Sequence, residues 1–258
     1  SLQKEAEAGM KLNSQYIRRV VNCFEDAGQN YLIAEYADGV SLGQLLLNHP
    51  TGVPFELGLI WARNIAEALV HAARKGVNHV NLNPYNVIIS PVDHLKVIGF
   101  GKERKAWKHS EGNFKYHFPI LYIPAEEYRG SLIHDNSDLY SWAVVVYQIL
   151  TGHIPWRVDG FSSPEEQKEQ CLTRAVIQPD TAKVPDWLYS LILDCLKLDP
   201  ADRPKNPGVL LQALLAEGNY TDYLELEELA QNEEEKALWL EENQAAESEK
   251  DAAESPEP

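Results

Sequence analysis

With 258 residues, 44% of them hydrophobic and 24% charged, the chain has the composition of a globular protein holding one substantial core. Its formal charge of −16 is uneven: residues 217–258 hold 15 acids and two lysines, while residues 1–216 hold 24 acids against 21 bases. Neither part offers the basic stripe that phosphate neutralisation requires, so no nucleic-acid partner is expected. No apolar run approaches the roughly 20 residues of a membrane helix and Ser1–Leu12 lacks the apolar stretch of a signal peptide, so no membrane and a cytoplasmic location are the expectations.

In chain order, Leu2–Leu12 is compatible with a helix, with Glu5, Ala6, Glu7, Ala8 and Met10 as helix formers. Val20–Phe24 and Tyr31–Tyr36 are strand-like and joined by the polar turn Glu25–Asn30, a hairpin pattern. Ser41 can cap a short helix Leu42–Leu47. Across Phe55–Lys75, Leu59, Ala62, Ile65, Ala66, Leu69 and Val70 recur near helical spacing before a Gly76 stop. A second hairpin comes next, in Val87–Ser90 and Leu95–Ile98. From Asp138 onward the pattern is helical. Leu139–Leu150 is apolar nearly all round, which marks a buried central helix ended by Gly152 and Pro155. Ser162–Ala175, Trp187–Leu196 and Pro207–Ala216 are the remaining helical stretches. Cys23, Cys171 and Cys195 are odd in number and lack metal-ligand spacing, so reduced thiols are expected and a zinc site is not.

Several patches carry a chemical pattern in fixed order. His79-Val80-Asn81-Leu82-Asn83-Pro84-Tyr85-Asn86 precedes a strand, Gly99-Phe100-Gly101 ends the next one, and Pro124-Ala125-Glu126 comes after it. Further along the chain stand Asp138-Leu139-Tyr140-Ser141, Leu150-Thr151-Gly152-His153-Ile154-Pro155-Trp156 and Asp199-Pro200-Ala201-Asp202-Arg203-Pro204. Together these resemble the protein-kinase family, whose catalytic loop reads H-R-D-L-K-P-x-x-N, whose metal-binding strand ends in D-F-G and whose activation segment closes on A-P-E. The resemblance covers about residues 2–216 and implies an α+β, protein-kinase-like fold, mainly a helical C-terminal lobe with a remnant of the N-terminal lobe. It divides the chain into a small-lobe remnant (1–38), a helical large lobe (39–216) and an acidic, partly helical to disordered tail (217–258).

What the resemblance implies for the site is mixed. Asn81 stands at the place of the family's general base and its amide has no useful basicity; Gly99 stands at the metal-binding Asp, and Asn83 at the phosphate-neutralising Lys. Asn86 is the one metal ligand type retained, so no metal site is expected. Ala34, Glu35 and Ala37, with Ile88, resemble the adenine hinge, so ATP is conceivable as a cofactor although none is the leading expectation. Glu5 falls where the family's helix Glu pairs with a strand Lys that would lie upstream. His79, Phe100, Glu126, Asp138 and Arg203 match structural positions, with Glu126 pairing to Arg203. The leading expectation is therefore a catalytically inactive kinase-like scaffold or regulatory module; the alternative is an atypical or weakly active ATP-dependent Ser/Thr-type protein kinase. Protein partners are expected at the basic and aromatic Lys102–Phe118 loop, at the strand Tyr31–Tyr36 if its edge is unpaired, or at the acidic tail.

Overall fold

The computed structural model describes residues 2–91, 94–101, 121–128, 133–156, 176–180 and 184–216. The chain divides into two units, Ser1–Leu214 and Leu215–Pro258, and the described hydrophobic core belongs to the first. The expected helix Ser162–Ala175, the Lys102–Phe118 loop, Trp107, Trp239 and the acidic tail lie outside the described residues.

Helix α1 (Leu2–Gly9) leads into a two-stranded antiparallel sheet, β1 (Val20–Asp26) with β2 (Gln29–Ala34). Pairing continues to Asp26 opposite Gln29, so the connection is only Ala27-Gly28, shorter than the polar run Glu25–Asn30 suggests. Both turn residues have positive φ, 48° and 77°, the mirror-image turn whose twist matches that of a hairpin. Among the described residues β2 pairs with β1 alone, leaving its other edge open. Phe24 and Tyr31 stack across the hairpin with ring centroids 5.3 Å apart.

A second sheet has the order β3 (Val40–Ser41), β4 (Val87–Ile89), β5 (Leu95–Val97). Strand β3 is not legible in the sequence, because two residues show no period. Ile17 forms a parallel bridge to Val97, and the Arg18 amide donates to the Val97 carbonyl at 3.0 Å, so the segment entering β1 lies along β5. Helix α2 (Leu42–Leu47) opens on a capping box in which Ser41 accepts from the Gln44 amide and Gln44 reaches back to the Ser41 amide.

The core is built on α3 (Phe55–Arg74) and α5 (Ser137–Thr151), with the short α4 (Ala125–Tyr128) between them in sequence and α6 (Asp186–Cys195) packed on α5. Helix α5 is buried on every side, and each of its fully buried aliphatic side chains contributes on the order of 1.5–3 kcal/mol by leaving water. Trp142 closes the contact to α3 by donating its indole N–H to the Ala62 carbonyl at 2.9 Å. The helix stops at Gly152 with φ 81°, where a Cβ would fall 2.2 Å from the Pro50 carbonyl oxygen; glycine is required there on both counts. Trp142 and Trp156 are buried, and Trp187 packs half-buried against the same core. Helix α7 (Pro207–Ala216) completes the described elements.

Candidate functional site

The loop between α3 and β4 is held open by a buried carboxylate. Asp138, in the first turn of α5, accepts the backbone N–H of His79 at 2.6 Å and of Val80 at 2.8 Å. Val80 sits at φ 70°, an expensive conformation for a β-branched residue, and the two charge-assisted hydrogen bonds are what over-determine it. His79 is fully buried, donates Nε2–H to the Ile98 carbonyl at 3.0 Å and accepts the Asn81 N–H on Nδ1 at 3.3 Å, which assigns a neutral ring with the proton on Nε2. Phe100 packs on that ring with centroids 4.5 Å apart. One carboxylate and one imidazole thereby lock the loop to the strand end that carries Gly99.

Three asparagines organise what the loop presents. Asn83 and Asn86 both donate Nδ2–H to the Asn81 carbonyl at 2.8 Å, and the Asn83 Oδ1 accepts the Tyr85 N–H at 3.0 Å, starting the short turn Pro84–Asn86. Asn81 keeps its side-chain oxygen within 3.4 Å of the Asn83 amide nitrogen. Thus Asn83 is spent on backbone geometry through both amide atoms and Asn86 through its Nδ2, while the Asn81 side-chain oxygen is engaged by a long contact.

A cleft of about 370 Å³ is lined by Leu32, Ala34, Glu35, Tyr36 and Ala37 together with Ile88, Ile98 and Arg18. The structure brings Ala34, Glu35, Ala37 and Ile88 together there although Ile88 is more than 50 positions away in sequence. The Glu35 carboxylate turns out of the cleft toward Lys96, 2.7 Å away, and the Arg19 amide. Burial pushes the Glu35 carboxyl up, and the Lys96 and Arg19 hydrogen bonds outweigh it, leaving the group below the ordinary carboxylate value.

Glu126 and Arg203 lie on the far side of α5. Arg203 grips the carboxylate with both terminal nitrogens at 2.8 and 2.6 Å, Ser137 donates its hydroxyl to the same carboxylate at 2.6 Å, and the guanidinium stands 5.3 Å over the Tyr140 ring. Burial raises the Glu126 carboxyl, but the Arg203 and Ser137 hydrogen bonds overcome it and hold the group below its ordinary value. Glu5, on α1, is buried beside Gly99 and Phe100 and lines a small cavity with Arg18. Arg18 is the residue sequence reasoning misses: it sits in an ordinary strand-entry pattern, and only the parallel bridge to β5 turns it into the cleft.

A lobe of buried helices, a cleft lined by residues 34–37 and a loop pinned by a buried carboxylate define a kinase-like architecture. The chain belongs to the protein kinase family, since the model for protein tyrosine and serine/threonine kinase matches residues 1–212. It is 25% identical over 218 residues to a probable serine/threonine-protein kinase of Clostridium acetobutylicum, a match covering 82% of this chain and 32% of that protein. It is 29% identical over 222 residues to the serine/threonine-protein kinase pkn3 of Myxococcus xanthus, covering 78% and 39% respectively. With the serine/threonine-protein kinase PrkC of Bacillus subtilis it shares 25% over 206 residues, covering 78% and 31%. The chain spans about a third of the length of these relatives.

These matches correct the leading functional expectation. Asn81, Asn83 and Gly99 suggest a catalytically inactive scaffold, yet the relatives carry the names of serine/threonine kinases and favour the phosphotransferase alternative. The physical reason that expectation overreaches is that phosphoryl transfer asks the protein mostly for positioning and electrostatic stabilisation, so replaced side chains do not by themselves abolish the reaction. Family membership likewise implies ATP, against the leading expectation of no cofactor.

Proposed function

We propose that the chain is part of an ATP-dependent serine/threonine-type protein kinase that works with atypical residues in its catalytic loop. The observation that carries this reading is the cleft, where hinge residues 34–37 meet Ile88 and Ile98 around a volume suited to a planar base. Leu32, Ala34, Ile88 and Ile98 supply apolar faces for adenine, and the hinge backbone supplies donors and acceptors at its edge. ATP, when bound, supplies the phosphoryl group to be transferred.

Orienting the acceptor is the task left to the loop. The Asn81 amide oxygen accepts a hydrogen bond from a substrate hydroxyl and orients it; the hydroxyl proton passes to the transferred phosphoryl group or to solvent as the new O–P bond forms and the bond to the leaving ADP breaks. A positioned general base contributes about 10²–10⁴-fold in such reactions, so turnover by this site is slow in that proportion. The donor set for a protein-held magnesium ion is incomplete: Gly99 has no side chain, Asn83 is spent on the loop through both amide atoms, Asn86 gives its Nδ2–H to the Asn81 carbonyl and offers only its Oδ1, and no cluster of three acidic, His or Cys side chains is found among the described residues.

Incubation with radiolabelled ATP and a generic protein substrate is expected to give slow transfer that Ala34→Trp, which fills the cleft, abolishes. In parallel, ATP at 100 times its dissociation constant should stabilise the chain by about 2.7 kcal/mol in a thermal titration. Absence of both transfer and stabilisation would overturn the proposal.

A further inference from the structure

The Arg18 guanidinium is in an unusual position. Its backbone is tied to Val97 of β5, and its side chain borders both the hinge-lined cleft and the small cavity that Glu5, Gly99 and Phe100 surround. Its Nε–H is buried and has no hydrogen-bond partner among the described residues. Buried donors are almost always satisfied, and one on a permanent cation is costly to leave unmade. Glu5, only 7% exposed, borders the same small cavity, whose volume of about 10 Å³ is close to that of a single water position.

Charge around this end of the cleft has a second peculiarity. Neither Gly99 nor Asn81 carries a carboxylate, so the negative field that elsewhere would need a divalent cation between protein and phosphate is missing from these positions. Arg18 is the one basic residue among those that line the cleft. Its planar fork matches phosphate oxygens, and Glu5, which borders the same small cavity, brings a carboxyl to this end of the cleft.

From this we infer that Arg18 is the phosphate-binding residue of the nucleotide site, with Glu5 positioning it, and that nucleotide phosphates are held there directly, without a metal ion held by the protein. The inference rests on the nucleotide reading of the cleft. It makes the binding of a diphosphate independent of divalent cations, in contrast to what carboxylate-held metal would produce.

The test uses the 258-residue chain and two probes, ADP and adenosine, titrated calorimetrically with excess EDTA. ADP is expected to bind in EDTA, and Arg18→Gln to weaken ADP about tenfold or more, by a clearly larger factor than it changes adenosine affinity. Arg18→Lys should recover part of the loss, and Glu5→Gln should weaken ADP without altering adenosine. If ADP and adenosine bind the parent chain equally and Arg18→Gln changes neither, Arg18 has no such role while the cleft reading survives. If ADP binds the parent chain only when magnesium is restored, the direct phosphate contact is overturned. If neither probe binds with or without magnesium, the nucleotide reading falls and this inference with it.

Discussion

Two parts of this molecule treat buried polar chemistry in opposite ways. Around α5, the buried carboxylates are answered: Asp138 takes two amide hydrogens, and Glu126 takes two guanidinium hydrogens and one hydroxyl. Around the cleft, a guanidinium nitrogen is buried without a partner among the described residues, and two amides, Asn81 and Asn83, stand on the loop where family members carry charges. The difference teaches that the carboxylates of Asp138 and Glu126 hold one loop conformation, whereas an unmet buried donor occurs both at Arg18 in the cleft and at the Trp156 indole in the helical lobe. Buried networks that are fully satisfied rigidify a structure.

The sharpest way to break the comparison is at the scaffold. Arg203→Ala strands a buried carboxylate and is expected to cost about 3–5 kcal/mol in chemical denaturation, whereas Arg18→Gln, which removes a buried unmet donor, should not destabilise. The same pair sets an acid limit. Because the folded Glu126 carboxyl lies below its ordinary value of 4.5, the stabilisation it gives is present above that pH and lost as pH falls through the folded value. Stability measured from pH 7 to pH 3 should therefore drop on the acid side in the parent chain, and the Glu126→Gln variant, already weakened, should show a shallower drop.

Next in size is a gain in the cleft. Asn81→Asp restores a group able to take a proton, and kcat for protein phosphorylation should rise by about 10²-fold with little change in KM for ATP. A variant with unaltered kcat would show that proton removal does not limit turnover.

Smaller still is the hairpin. Ala27 occupies a left-handed conformation at φ 48°, and Ala27→Asn creates the Asn-Gly pair that such turns favour, with an expected stabilisation of about 0.5–1 kcal/mol read from the thermal midpoint. The smallest effect is at the exposed ion pair of Glu35 and Lys96, whose side chains are 38% and 30% exposed; Lys96→Ala should cost under about 1 kcal/mol and less at high salt.

Much of the fold is legible in the residues alone. The apolar run of α5 is long and unbroken, and the period of α3 repeats over 20 residues, so both helices announce themselves through local pattern. Elements too short to repeat a pattern, such as β3, the turn at Pro84–Asn86 and the helix Ala125–Tyr128, do not. Hairpin length is misjudged because polarity marks a turn less sharply than backbone conformation does. Inferring inactivity from single substitutions fails for a different reason: side-chain identity at three positions says what one group cannot do, not what the assembled site can.

What the sequence by itself determined is the order of the elements, the buried central helix, and the identity of the hinge, loop and ion-pair residues, since each of these is written in neighbouring residues or in a motif. Tertiary structure alone decided which of them touch. His79 and Asp138 are 59 positions apart, Glu126 and Arg203 are 77 apart, and Arg18 reaches the cleft only because Ile17 bridges to Val97. Such pairings depend on how helices and strands pack across the core, and no local periodicity encodes which polar group will be answered there and which will be left for a ligand.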